Sequence, residues 1–178
     1  MEEKKIIDAY KLDREVYREE YCVDPEICLG WYKINPDIYT ILEDDNNNLV
    51  GYVNLMPISK DTYDLIRSGN FRESDLEVLK YTEGINYLYF SSIVIKPDQQ
   101  NYKTFIKLYN KLVSKFIDMF ERNIKIGSII AYVVSDNGLR FCKLVGMKNI
   151  KDNLYEISLD SLNGITQKTS ELVNIYRK

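Results

Sequence analysis

The 178-residue chain contains no histidine. That removes Ser–His–Asp and Cys–His chemistry from within the chain, along with the usual imidazole metal sites. Proton transfer must then fall to Asp, Glu, Tyr, Lys, Cys, backbone or water. Cysteine is scarce: Cys22, Cys28 and Cys142 make an odd count with no CxxC spacing, which predicts reduced thiols and neither a disulfide framework nor a zinc site. No apolar run approaches the ~18 residues of a membrane span. The first residues, MEEKKIIDAYKLD, lack the apolar segment of a signal peptide, so a cytoplasmic location is expected. The net charge of −3 exerts no global pull on nucleic acid or an anionic membrane.

What remains is a globular composition, 45% hydrophobic and 29% charged, long enough for one domain with a substantial core. No repeat or low-complexity linker divides residues 1–178. Ile6–Tyr10 is open between a short strand and none. Asp13–Tyr21 predicts a helix with Asp13 as its cap. Asp24-Pro25-Glu26 marks a second helix start, with Pro at the first helical position, and Asn35-Pro36 marks its end. Asp37–Leu42 and Leu49–Met56 form a hairpin about the polar turn Asp44–Asn48, with Pro57 closing the second strand. Two short helices, Lys60–Ile66 and Ser74–Tyr81, fill an insert, 59–84.

Tyr87–Leu112 is the most informative stretch. Tyr87–Ile95 reads as a buried strand, Pro97 leads a turn, and Lys103–Arg122 is an amphipathic helix. On a 100° wheel Phe105, Leu108, Tyr109, Leu112, Val113, Phe116, Met119 and Phe120 share one face. Lys103, Lys107, Lys111 and Lys115 share the other and read as solvated. A strand feeding a helix N-terminus is suited to holding a phosphate. Ser128–Val134 follows as a buried strand and Asp136–Leu144 as a helix ended by Val145-Gly146. Met147–Lys151 and Leu154–Leu159 make a last hairpin, and residues 161–178 a C-terminal helix and tail. The alternation predicts an α/β (α+β) domain on one mixed, mostly antiparallel sheet.

This order, punctuated by IYTILEDDNNNLVGYVNLMP, SSIVIKPDQQ and VVSDNGLRFCKLVGMKN, resembles the GNAT N-acetyltransferase family over Leu12–Leu159. The resemblance implies a sheet with two parallel strands splayed apart, here Tyr87–Ile95 and Ser128–Val134. It implies an acetyl-CoA or CoA cofactor whose pantetheine arm pairs with Ile93, Val94 and Ile95. The pyrophosphate would sit on Gln100, Asn101, Tyr102, Lys103, Thr104 and Phe105, where Gln100 fits the family loop but Lys103 and Phe105 replace its glycines. The family's general-acid tyrosine corresponds to Cys142, and its frequent asparagine to Ser135 or Asn137.

Ser91 and Ser92 stand where relatives hold a water or base. Tyr32, Tyr52, Tyr87 and Tyr89, among fifteen tyrosines, are candidates to line an acceptor cleft and relay a proton, or are amphipathic filler. Cys142 reads equally as a small buried hydrophobe. The implied reaction is acetyl transfer to a primary amine, on a small molecule or peptide, by direct attack, in a monomer or homodimer that binds neither nucleic acid nor membrane. The insert is placed to lid the acceptor. Two alternatives stand beside this reading: a catalytically inactive binding or regulatory module of the same fold, and a transferase for longer acyl-CoA chains.

Overall fold

The structure, a computed structural model, describes residues 3–158. Helix α1 (Glu3–Val16) buries Ile6, Ala9 and Leu12, spaced three apart and therefore on one helical face. That spacing overturns a strand at Ile6–Tyr10 and a cap at Asp13. A single helix begins ten residues earlier, and Asp13 sits inside its C-terminal half. Helix α2 (Pro25–Ile34) starts as its sequence predicts: the Asp24 carboxylate accepts from the Glu26 amide.

Strands β1 (Tyr39–Glu43) and β2 (Leu49–Ile58) form the expected hairpin. β2 runs through Pro57 instead of stopping there. β1 covers β2 only as far as Asn54, and the Pro57 carbonyl on the uncovered side accepts from the Leu79 amide at 2.8 Å. The missing N–H therefore faces away from β3 and costs no ladder bond.

Helix α3 (Lys60–Ser68) follows, capped by Ser59 and ended at Gly69 with φ +86°. The second helix expected in the insert, Ser74–Tyr81, does not form. A 3-10 turn, Glu73–Asp75, gives way to irregular chain in which Leu76 and Val78 are buried. That chain is tied by side chains from α2: Trp31 Nε1 donates to the Leu76 carbonyl at 3.0 Å and Asn35 Nδ2 to that of Leu79 at 2.8 Å. Alternate burial and these carbonyl contacts suit an extended segment, not a helix.

Strand β3 (Gly84–Ile95), helix α4 (Tyr102–Glu121), strand β4 (Ile124–Tyr132), helix α5 (Asp136–Leu144) and strands β5 (Lys148–Lys151) and β6 (Leu154–Ser158) complete the described chain. The sheet order is β1-β2-β3-β4-β6-β5, antiparallel throughout except for the parallel pair β3·β4. This is the mixed, mostly antiparallel sheet the sequence predicts.

The sheet has a core on each face. One gathers Ile6, Leu12, Trp31, Tyr52, Met56, Tyr63 and Tyr89 with α1–α3; the other gathers Val53, Leu55, Leu88, Leu108, Leu112 and Phe141 with α4 and α5. Two expectations for α4 fail. Its buried stripe is Leu108, Leu112 and Met119; Phe120, one 100° step further round, is 71% exposed. Lys115 is half-buried instead of solvated: its ammonium donates to the Asp37 carbonyl and lies 5.5 Å from the Tyr81 ring centre. Burial holds its pKa down at about 8. Among the described residues no helix is long and apolar enough to cross a membrane. The helix expected at 161–178 lies outside them.

Candidate functional site

β3 and β4 pair from Gly84–Ile124 to Tyr89–Ile130 and no further. β3 continues to Ile95 on β2 alone, while β4 stays with β6, Tyr132 opposite Leu154. The parallel strands thus part after Tyr89. The cleft between them is lined by Phe90, Ser91 and Ile93 on one side and by the 131–135 segment, Gly138, Phe141 and Cys142 on the other, with Tyr17 also on its wall. Backbone groups of β3 facing this gap have no strand partner among the described residues.

Opposite the gap, the β2·β3 register slips: Asn54 pairs with Ser92 but Leu55 with Phe90, so Ser91 is an extra residue. A one-residue bulge reverses the alternation of faces beyond it. The packing follows. Leu88 and Tyr89 face the α4 and α1 sides in turn, whereas after the bulge Ile93 takes the α4 side and Val94 the α1 side. Both serine hydroxyls consequently turn to the α1 side. Ser92 hydrogen-bonds Tyr17, and Ser91 donates to Glu73 Oε1.

Glu73, from the 3-10 turn of the insert, also accepts from the Tyr89 hydroxyl at 3.1 Å. Two residues singled out from sequence, Tyr89 and Ser91, therefore meet on one carboxylate. Burial raises the Glu73 pKa, the two hydroxyls partly opposing the rise. Phe71 packs edge-on against Tyr89 and Tyr132, each at 5.9 Å, and roofs the group.

A second carboxylate, Asp13, accepts from the Tyr52 hydroxyl. Desolvation lifts its pKa from 3.8 to about 7, the Tyr52 hydroxyl opposing and the Glu73 charge adding. The folded chain therefore keeps a proton that the unfolded chain gives up near pH 4. This contribution to stability is whole below about pH 4 and lost as pH rises to about 7, by at most about 4 kcal/mol. Asp13→Asn should flatten that pH dependence and raise the urea midpoint at pH 8 relative to the parent. Urea denaturation at pH 5 and pH 8 measures it.

At the far end of β3, Gln100 Nε2 donates back to the Ile95 carbonyl at 3.0 Å, and Asn101 caps α4 by accepting from the Thr104 amide. The Phe105 amide goes to the Asn101 carbonyl. Tyr102 and Lys103 are left as first-turn amides with no intrahelical acceptor, both residues exposed. The Phe105 ring turns inward, 6.1 Å from Tyr109 and 6.4 Å from Phe141, so its bulk does not cover the loop.

Cys142 is 3% exposed and lines the cleft; burial pushes its thiol up to about 11. Ser135 caps α5 through the Gly138 amide, and Asn137 is exposed in its first turn. Tyr87 lies apart from the bulge, its ring 5.1 Å from Tyr63. Sequence reasoning missed Asp13 and Tyr17 as site residues and left Glu73, with Asp75 and Glu77 on the insert, ambiguous between a surface acid and a group that attracts a cationic amine. The signal that could have found Asp13 was a polar residue on the otherwise apolar face of α1; Glu73 lies on the insert, where no local pattern marks it.

No family model matches the chain, and no curated protein matches it by sequence. Solved structures do. A GNAT-family acetyltransferase from Staphylococcus aureus Mu50 is 12% identical, over 88% of this chain and 92% of its own, with a TM-score of 0.53. The loading GNATL domain of CurA from Lyngbya majuscula is 16% identical over 90% and 96%, with a TM-score of 0.57. Naa20 from Chaetomium thermophilum, in complex with a bisubstrate analogue, is 14% identical over 90% and 85%, at 0.54. The chain thus has the GNAT acetyltransferase fold.

Proposed function

We propose that this protein is an acyl-CoA-dependent N-acyltransferase that moves an acetyl group from acetyl-CoA to a primary amine. The observation that carries this is the parting of β3 from β4 after Tyr89. It leaves unpaired strand backbone beside a cleft that runs toward a helix N-terminus. Free backbone groups at Ile93–Ile95 suit the amides of a pantetheine arm. The Tyr102 and Lys103 amides, the start of the α4 dipole and the Lys103 ammonium suit a pyrophosphate. Phe105 leaves that surface clear, so the residues present fit the group despite the absent glycines. The bisubstrate complex of Naa20, which shares the fold, supports the same use of the cleft.

Acetyl-CoA would supply an activated thioester. The chain would supply alignment of amine and carbonyl, the largest contribution, and backbone N–H groups of β3 that polarise the carbonyl oxygen. Cys142 is a poor proton donor to a leaving thiolate. At a pKa of about 11 it is a weaker acid than an ordinary thiol, near ~8.5, and transfer from it runs uphill.

One observation favours the binding-module reading. The cleft holds only about 40 Å³ as it stands, room for a single water. A bound arm requires the 133–135 segment or Tyr17 to move outward. Calorimetry with CoA and acetyl-CoA separates the readings at the first step. Micromolar binding supports the transferase; no binding at millimolar ligand ends it. Lys103→Glu should weaken CoA roughly tenfold, and an unchanged affinity would remove Lys103 from the site. A thiol-release screen over polyamines, aminoglycosides, amino acids and peptide N-termini then distinguishes turnover from binding alone.

A further inference from the structure

We propose that Glu73, reached through the Ser91 hydroxyl, accepts the proton of the attacking amine; this rests on the transferase reading above. Three elements make the arrangement. The bulge in β3 supplies Ser91, which alone among the described residues both lines the cleft and hydrogen-bonds a carboxylate. The insert supplies Glu73. The preceding β3 residue on the same face, Tyr89, fixes the second carboxylate oxygen at 3.1 Å, so Oε1 stays aimed at Ser91. Among the described residues no lysine or arginine forms an ion pair with Glu73, so its basicity is not spent on a structural cation.

The groups packed around it are few and of one kind. Asp13 of α1, Tyr17 just beyond that helix and Cys28 of α2 lie within electrostatic reach of Glu73, and Tyr89 and Ser91 of β3 hydrogen-bond it; around these, Tyr52 holds Asp13, Ser92 holds Tyr17 and Tyr132 lies near Tyr89. Arg72 and Asp75 flank it in sequence, both exposed. Burial disfavours charge on Glu73 and makes it a stronger base, the Ser91 and Tyr89 hydroxyls partly opposing. An ordinary carboxylate is too weak a base to work well near neutrality.

The step balances. The neutral amine nitrogen attacks the thioester carbon; the C–N bond forms, the C–S bond breaks, and the electron pair leaves on sulfur. The nitrogen gives its proton to Ser91 Oγ while the Ser91 hydroxyl proton passes to Glu73 Oε1. Glu73 then returns the proton to solvent, and water protonates the thiolate.

The experiment compares Glu73→Gln, Ser91→Ala and their double variant with the intact chain, using the amine that the thiol-release screen returns. Each single variant should lower kcat/KM about 100-fold. The double should be no worse than Glu73→Gln, since the two act as a unit. Acetyl-CoA affinity should not change, and the acidic limb of the pH–rate profile should vanish in Glu73→Gln. Glu77→Gln, exposed on the same insert, should behave as the parent.

Losses that multiply, a limb that survives, or activity within threefold of the parent would overturn the assignment. If Glu73→Gln folds poorly, carbon-13 NMR of labelled glutamate in the intact chain decides instead. Glu73 must titrate above ordinary glutamate and move in Ser91→Ala; ordinary titration overturns the proposal. Absence of acetyl-CoA binding or of any turnover would instead sink the transferase reading itself.

Discussion

Gly51→Ala is expected to destabilise the fold by about 3 kcal/mol, at the top of the range for overpacking, and to lower the melting temperature by about 10 °C. The glycine's value here is space. A Cβ at this position would stand 2.6 Å from the Val94 carbonyl oxygen and 3.2 Å from the Ile95 Cα. Both obstacles are backbone of the strand that β2 pairs with, and neither can swing aside like a side-chain tip. β2 must therefore move off β3 at the Gly51–Ile95 pair. That pair sits at the mouth of the loop leading to α4, so the same substitution should also weaken CoA. Thermal melting and calorimetry together test this. A variant as stable as the parent would show that the strand end tolerates displacement.

Gly138→Phe should have the largest effect on ligand. Gly138 lines the cleft from the first turn of α5, and its amide is held by the Ser135 hydroxyl. A Cβ there meets Ser135 Oγ at 3.2 Å and Val133 Cγ1 at 3.5 Å, contacts a small shift relieves. A ring turned into the cleft would fill the roughly 40 Å³ it holds. Binding of acetyl-CoA should fall by at least about 100-fold, the ~2.8 kcal/mol that full obstruction easily exceeds. Stability should change little, because phenylalanine suits a helix better than glycine. Gly138→Ala should lie between the two. Unaltered affinity in the Phe variant would place the ligand elsewhere.

Much of the architecture was legible because its signals are local. Asp24-Pro25, the Asp44–Asn48 turn, the Ser135 cap and Gly146, which adopts φ +81°, are read within a few residues of where they act. The same holds for the loop before α4, where Phe105 packs inward as its helical phase predicts. The misreadings are of another sort. Ile6–Tyr10 is too short to show whether three or two is its period until Leu12 is counted. Pro57 ends a strand in general, but not where the neighbouring strand has already stopped. Ser74–Tyr81 carries helix-compatible residues whose backbone is claimed by Trp31 and Asn35 from α2. The proton-handling cluster was the least legible part. In the sequence Glu73 is ambiguous, one of three acids on the insert with Asp75 and Glu77, and only the fold sets it beneath Tyr89 and Ser91.

The bulge at Ser91 gives β3 something like a reading frame. Removing either serine would close the bulge and leave Ile93, Val94 and Ile95 on the faces they now occupy; keeping both in a straight strand would instead turn all three over, sending Val94 from the α1 side to the α4 side and its neighbours the other way. The bulge therefore lets β3 carry one residue more than β2 opposite Asn54 and Leu55 without disturbing the faces beyond it.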